Sequence, residues 1–280
     1  HRAQPERHGV LRLRHLVLDL TGRAVRIATW NVNSVRARKA HLLDYLRAED
    51  APEVVLLQEL KVEEQGFPRP EVEEAGYHAL VAGQKGYNGV AILSRTKATL
   101  RRHGLPGEDD AQARYLEAEI GDVVVASLYA PNGNPVGGEK FAYKLAWMRR
   151  MAAHAAALFA EERAVVLGGD WNVCPTALDV WDERAMAADA LLQPESRAAW
   201  RTILWQGWTD AFRALHPDEA GYTYWDYQAG AWPRDHGMRI DHLLLSPHAA
   251  QRLAACAVDR GLRGKDSPSD HTPVWCALEA

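Results

Sequence analysis

Residues 165–175 read VVLGGDWNVCP. Val165, Val166 and Leu167 form the kind of branched aliphatic run that fills a buried strand. The run then passes through Gly168 and Gly169 into Asp170, Trp171 and Asn172. The same change from oily strand to polar cluster recurs along the chain. RIATWNVN ends in Asn31 and Asn33, VVLLQELK in Glu59 and Lys61, and VVVASLYAPNG in Tyr129 and Asn132. In RIDHLLL and PSDHTPVW the polar residues come first, as Asp241 and as Asp270 with His271. If the last two strands run antiparallel to the first four, all of these clusters meet at one sheet edge. Function is usually built there, on loops held by a rigid scaffold.

Further strand candidates are HALVA, GVAILS, YLEAEI and VWCAL. SVRARKAHLLDYLRAED is expected to be a helix, with Ser34 as its N-cap. EKFAYKLAWMRRMAAHAAALFAEE places Phe141, Leu145, Met148, Ala152, Ala155 and Phe159 on one apolar stripe, which predicts a packing helix. Strands mixed with helices throughout argue for an α/β class with more than one sheet. No short-period repeat, low-complexity tract or linker divides the chain. The economical reading is a single catalytic domain over residues 25–280, preceded by a poorly ordered extension at residues 1–24. Residues 217–239 are rich in aromatics, Gly, Pro and Asp and are expected to form an exposed loop.

The chain has 280 residues, 47% hydrophobic and 25% charged, enough for a real core. Its formal net charge of −4 provides no broad basic surface, so a polyanion would have to be held locally. Three cysteines, Cys174, Cys256 and Cys276, are too few for a disulfide framework and fit a reducing, cytoplasmic setting. No apolar run reaches the ~20 residues of a membrane span. The leader has neither a clean apolar segment nor a small-residue cleavage site, so it reads as an extension and not as a signal peptide. A monomer is the default expectation.

The gathered groups are four acids (Glu59, Asp170, Asp241, Asp270), two amides (Asn31, Asn172), the Tyr129 phenol and the His271 imidazole. So many carboxylates in one cleft repel each other unless a cation neutralises them. Oxygen-rich sets suit Mg²⁺, with Mn²⁺ as a substitute. No Cys/His spacing suggests zinc, and no Gly-x-x-x-x-Gly-Lys-Ser/Thr loop suggests a nucleotide triphosphatase. The set therefore reads as metal-assisted attack on a phosphoester. Taken singly, each residue has a plainer reading: a turn or cap aspartate at Asp170, a loop histidine at His271, a solvated Glu59, a packed Tyr129. That they fall where buried runs terminate weighs against four coincidences.

The segments TWNVNSVRA, LLQELK, GQKGYNGVAILS, SLYAPNG, VVLGGDWNVCPTALD, RIDHLLLS and PSDHTPVW, in this order, resemble the exonuclease III type of AP endonuclease, in the endonuclease/exonuclease/phosphatase superfamily. The resemblance spans about residues 25–278. It implies a four-layer α/β sandwich, two mixed β-sheets packed face to face with helices outside. It also implies a Mg²⁺-dependent DNA repair nuclease that cleaves 5′ to abasic sites and trims duplex DNA from 3′ ends. Under it the catalytic residues are Tyr129, Asp170, Asn172, Asp241 and His271. Glu59 is the main metal ligand, and Asn31, Asp170, Asn172, Asp270 and His271 complete the metal surroundings. Asp170 orients or deprotonates the attacking water, and His271, paired with Asp241, stabilises charge on the phosphoryl oxygen. The glycine pair is then expected to turn the chain sharply, presenting Asp170 and Asn172 together.

Candidate DNA contacts are Lys85 in QKGYNG, Arg114, Asn132, and Tyr224 with Trp225 in YTYWDYQ, with cations on phosphates and aromatics wedged at a distorted site. The sequence departs from the family at Tyr224 (usually Trp), Gln228 (usually Arg), Leu60 (usually Thr) and Ser34 (commonly Gly). These changes bear on substrate preference more than on reaction type. Two other readings compete. One is a relative acting on an inositol phosphate, a lipid headgroup or RNA. The other is a binding module without catalysis, which the full set of catalytic positions disfavours.

Overall fold

The computed structural model describes residues 24–280, so the expected extension lies, but for its last residue, outside the described residues. The strands are, in chain order, β1 (Val25–Asn31), β2 (Val54–Gln58), β3 (His78–Ala82), β4 (Val90–Ser94), β5 (Thr99–His103) and β6 (Tyr115–Ile120). They continue as β7 (Val123–Tyr129), β8 (Ala164–Asp170), β9 (Thr209–Asp210), β10 (Asp241–Leu245), β11 (Leu253–Val258) and β12 (Val274–Leu278). The longer helices are α1 (Lys39–Arg47), α2 (Arg69–Glu74), α3 (Glu139–Phe159) and α4 (Pro194–Leu204).

Two six-stranded sheets form, in the orders β11-β12-β1-β2-β4-β3 and β5-β6-β7-β8-β10-β9. Each is mixed: β1 pairs parallel with β2 and β7 with β8, while the remaining pairings are antiparallel. Successive side chains alternate between faces. Ile27, Leu56, Ile92, Val125, Val166 and Leu243 meet between the sheets. Ala28, Trp30, Val55 and Leu57 face outward onto Leu42 and Leu46 of α1 and Val72 of α2. On the other sheet Val124, Leu128, Val165 and Leu167 face Trp147, Met148 and Met151 of α3 and Trp200 of α4. Both sheet faces are therefore covered, which is why the central strands read as unbroken apolar runs. This is the four-layer sandwich expected.

Three strands went unanticipated: β5, β9 and β11. All three stand at sheet edges. An edge strand with an open face needs no continuous apolar run, and β5 reads Thr-Leu-Arg-Arg-His.

Three local expectations are corrected. β8 continues through Gly168 and Gly169 to Asp170 without turning. A side chain at Gly168 would meet Leu56 Cδ1 at 2.6 Å and Leu243 Cδ2 at 2.8 Å; one at Gly169 would meet the Leu128 carbonyl at 1.9 Å. The glycines allow close packing, and the reversal comes at Asn172, with φ 49°. Second, α1 begins at Lys39, and Ser34 does not cap it. Instead Ser34 N donates to Glu59 O (2.8 Å) and Val35 N to Leu60 O (3.1 Å), so Ser34 and Val35 follow the end of β2, and Ser34 Oγ accepts from Ala37 N (3.2 Å) in the turn before α1. Ser34 sits at φ 83°, a conformation that suits glycine. Third, residues 217–239 are only partly exposed: Thr223, Trp225, Ala231 and Met238 are buried.

Candidate active site

The register brings three predicted residues into one row. Tyr129 on β7 lies opposite Asp170 on β8, and Asp170 lies opposite Asp241 on β10. The other sheet supplies Asn31, Glu59, Asp270 and His271 from strand ends facing that row. The same ends of both sheets thus meet, as the parallel and antiparallel directions of the six segments require.

A single amide joins the two halves. Asn31 Nδ2 donates to Glu59 Oε1 (2.8 Å) and to Asp170 Oδ2 (3.0 Å). Glu59 holds a left-handed backbone, φ 50°, immediately after β2. Lys61 Nζ lies 3.3 Å from Glu59 Oε2 and donates to Asn33 Oδ1 at 2.5 Å. Burial alone would raise the Glu59 pKa, but the Asn31 hydrogen bond and the charges of Lys61 and His271 outweigh it and hold the carboxyl below its usual range. Glu59 is thus an anion ready for a cation.

His271 lies between two acids. Its Nδ1 is 2.8 Å from Asp241 Oδ2, and its Nε2 is 3.6 Å from Asp170 Oδ2. Thr223 Oγ1 also donates to Asp241 Oδ2, at 2.6 Å. Burial opposes charging of the ring, but Asp241 and then Asp170 push its pKa up to about 10. Burial pushes Asp170 up to about 7, against the pull of His271, while Asp241 and Glu59 add to the rise. Beside these two acids the ring favours its charged form, in which Nε2–H points toward Asp170.

Asn172 is fixed on three sides. Its N–H donates to Asp170 Oδ1 (3.0 Å), its amide donates to Ala130 O (2.8 Å), and its Oδ1 accepts from Asn132 Nδ2 (3.4 Å). Glu59, Asp170 and His271 offer ligand atoms within 4.8 Å of one another, a group that could hold a metal ion. Asp270 stands outside that trio. It lines the same cavity, and its carboxylate accepts from Asn33 Nδ2 at 3.1 Å. The cavity, of about 410 Å³, has Glu59, Tyr129, Asp170, Asn172 and His271 at its polar end and Trp181, Met186, Leu191, Tyr224, Met238 and Ile240 as its apolar wall.

The expected DNA contacts separate. Lys85 is exposed on the loop between β3 and β4. Asn132 is exposed and lines the cavity, as does the half-buried Tyr224, whose ring lies 5.0 Å from that of His271. Arg114 is half-buried, 4.7 Å over the Tyr129 ring, and its Nη1 donates to Tyr129 O at 3.1 Å. Trp225 is corrected. It is fully buried, packs edge-on against Trp232 at 4.9 Å and donates to Asp235 Oδ1 at 2.9 Å, so it has no face for DNA.

Sequence reasoning missed Thr223, Ser269 and Lys144. Ser269 Oγ donates to Asn31 O (2.7 Å) and accepts from His271 N (3.2 Å), tying the two segments together. Small hydroxyls carry no periodic signal. Lys144 did leave one, as a cation one turn from Phe141 and Met148 on the mainly apolar buried face of the helix.

Residues 28–271 match the pattern of the endonuclease/exonuclease/phosphatase family. The chain is 31% identical over 268 residues to exodeoxyribonuclease III of Haemophilus influenzae, covering 91% of this chain and 100% of that protein. It is similar to a Neisseria 3′ phosphatase solved with a product DNA hairpin (35% identity, TM-score 0.89, 92% of this chain and 100% of the other). It is also similar to an AP endonuclease from Archaeoglobus fulgidus (34% identity, TM-score 0.87, 91% and 100%). With near-complete coverage in both directions and the fold shared, the chain belongs to the endonuclease/exonuclease/phosphatase family, with relatives of the exonuclease III and AP endonuclease type.

Proposed function

We propose that this protein is a Mg²⁺-dependent DNA repair nuclease that hydrolyses the phosphodiester 5′ to abasic sites and trims duplex DNA from 3′ ends. The observation that carries the reading is the trio Glu59, Asp170 and His271, within 4.8 Å of one another at the polar end of a cavity, with His271 held by Asp241. The similarity to nucleases and a 3′ phosphatase over nearly the whole chain supports it.

The donor set fits a hard divalent cation, since carboxylate and amide oxygens dominate it. Glu59 would hold the ion, with Asp170 and Asn172 beside it and Asp270 further out; Asn31, whose Oδ1 accepts from Asn33 N at 3.0 Å, would position Glu59 through its amide N–H. Bound there, it would neutralise phosphate charge and polarise the phosphoryl oxygen. Asp170 orients the attacking water or accepts its proton. Asn172, locked by Ala130 and Asp170, presents its amide to water and phosphate. The His271 imidazolium donates Nε2–H to the oxygen on which charge grows, while Asp241 fixes its orientation. The Tyr129 hydroxyl remains protonated, because burial and the nearby Glu59 and Asp170 raise its pKa well above the usual value, so it donates near the leaving oxygen. Lys85, Arg114, Asn132 and Tyr224 would hold the duplex. The free thiols Cys174, Cys256 and Cys276 fit a reducing, cytoplasmic setting, and a monomer is the state proposed.

The test is an end-labelled duplex carrying one abasic-site analogue, incubated in Mg²⁺, in EDTA, and in Mg²⁺ with Glu59→Ala or Asp170→Asn. Incision just 5′ of the lesion, lost in EDTA and in both variants, is the expected result. Trimming from 3′ ends without incision would restrict the enzyme to an exonuclease. No cleavage of DNA of either kind would overturn the reading.

A further inference from the structure

α3 buries a cation where its neighbours are apolar. Lys144 lies on the same face as Phe141, Met148 and Met151 and is completely buried. Among the described residues no carboxylate lies within ion-pair distance of its ammonium. Its partners are two main-chain carbonyls: Nζ donates to Asn132 O at 3.0 Å and to Asn172 O. A buried, unpaired ammonium is costly to keep, so its retention in a helix stripe calls for an explanation.

The two carbonyls belong to different loops. Asn132 follows β7, which ends in Tyr129; Asn172 follows β8, which ends in Asp170. Asn172 holds φ 49°, a left-handed turn that directs its amide to Ala130 O. The stem of Lys144 is accommodated by Gly133, where a Cβ would meet Lys144 Cδ at 2.6 Å. Lys144 does not line the cavity. It reaches the site from behind and bridges the two loops that flank Asp170.

We propose that Lys144 is a positioning residue for the phosphoester site, joining the 130–134 and 171–174 loops so that Asn172 presents its side chain beside Asp170. It touches neither substrate nor metal and acts through Asn172. The activity arm of its test rests on the nuclease reading; the exchange arm does not.

The experiment compares wild type, Lys144→Met, Asn172→Ala and the double variant. Met keeps the length and volume of the stem and removes the donor. In Lys144→Met, hydrogen exchange is expected to speed up by about tenfold at Ala130, Asn134, Asn172 and Cys174 together, with β1 and β2 unchanged. On DNA, kcat is expected to fall by about 10–100-fold at nearly constant KM. In the Asn172→Ala background the same change is expected to add less than about threefold, because both act through one group. A purely structural lysine would instead cost as much in either background. If Lys144→Met does not fold, Gly133→Ala displaces the same stem from the opposite side and replaces it in the cycle. Unchanged exchange in both loops, kcat within about twofold of wild type, or equal losses in both backgrounds would overturn the proposal. If wild type leaves DNA intact, the nuclease reading fails, and the exchange data alone decide the role of Lys144.

Discussion

Asp170 and Asp241 lie directly opposite each other on antiparallel β8 and β10, and His271 from the other sheet bridges them, 2.8 Å from Asp241 and 3.6 Å from Asp170. One imidazolium thus lies between two buried acids and offsets their mutual repulsion. Asp241→Asn removes the stronger anion partner, so the ring holds its charge less firmly. The expected outcome is a loss of kcat of roughly 10²–10⁴-fold with DNA affinity retained, read by single-turnover cleavage and a separate binding titration. Retained kcat would show that the pair is structural.

Glu59 is the anion most prepared for a metal, being held below the usual carboxylate range despite burial. Glu59→Gln keeps the shape and removes the charge. Divalent-ion affinity, read by calorimetry with Mn²⁺ and by the Mg²⁺-dependent rise in Tm, is expected to weaken by about 10–100-fold. An unchanged isotherm would place the ion elsewhere.

Two neighbouring glycines give an ordered pair of stability effects. A methyl at Gly169 meets the Leu128 carbonyl at 1.9 Å, which only a backbone shift relieves. A methyl at Gly168 meets the Leu56 and Leu243 side-chain methyls at 2.6 and 2.8 Å, which can yield. Gly168→Ala is expected to cost about 1–3 kcal/mol and Gly169→Ala more. Urea midpoints in the reverse order would contradict the packing role assigned to them.

His242 makes the fold acid-sensitive. It is buried on β10, with Nε2 2.9 Å from Val173 O; burial first and the Arg239 charge second push its pKa from 6.5 down to about 4. Between those two values the unfolded chain binds a proton that the folded protein refuses. The His242 contribution to stability therefore falls as pH drops from 6.5 toward 4 and levels off below, by about 3 kcal/mol in all. His242→Gln is expected to flatten the dependence of the urea midpoint on pH over that window; an equal slope would rule His242 out as the cause.

Trp225→Ala separates packing from DNA contact. The indole is fully buried against Trp232, so truncation is expected to cost about 3–5 kcal/mol of stability. Affinity for duplex DNA, measured on the folded fraction, is expected to change less than in Tyr224→Ala, because Tyr224 lines the cavity.

The central strands were legible because both of their faces are covered, which writes burial into the sequence as continuous aliphatic runs. The edge strands β5, β9 and β11 carry no such signature. The site residues were legible for a related reason: Asn31, Glu59, Tyr129, Asp170, Asp241 and His271 interrupt those runs at their ends, and strand direction then brings them together. Ser34 and Trp225 were misread. Ser34 looks like a helix cap locally, yet hydrogen bonds to the end of β2 set its backbone; Trp225 sits in a polar, glycine-rich stretch but packs edge-on against Trp232.

The sequence by itself determined the two-sheet α/β class, the polar row at the strand ends and the acid-rich, phosphoester-directed chemistry, because each follows from local composition and period. Only the tertiary structure decided that Asn31 ties Glu59 to Asp170, that Thr223 and Asp241 hold His271, and that Lys144 reaches the loops of Tyr129 and Asp170 from behind. Those links join residues that are not neighbours in the chain, some of them across the two sheets, and no local pattern records a contact that exists only once the elements have packed.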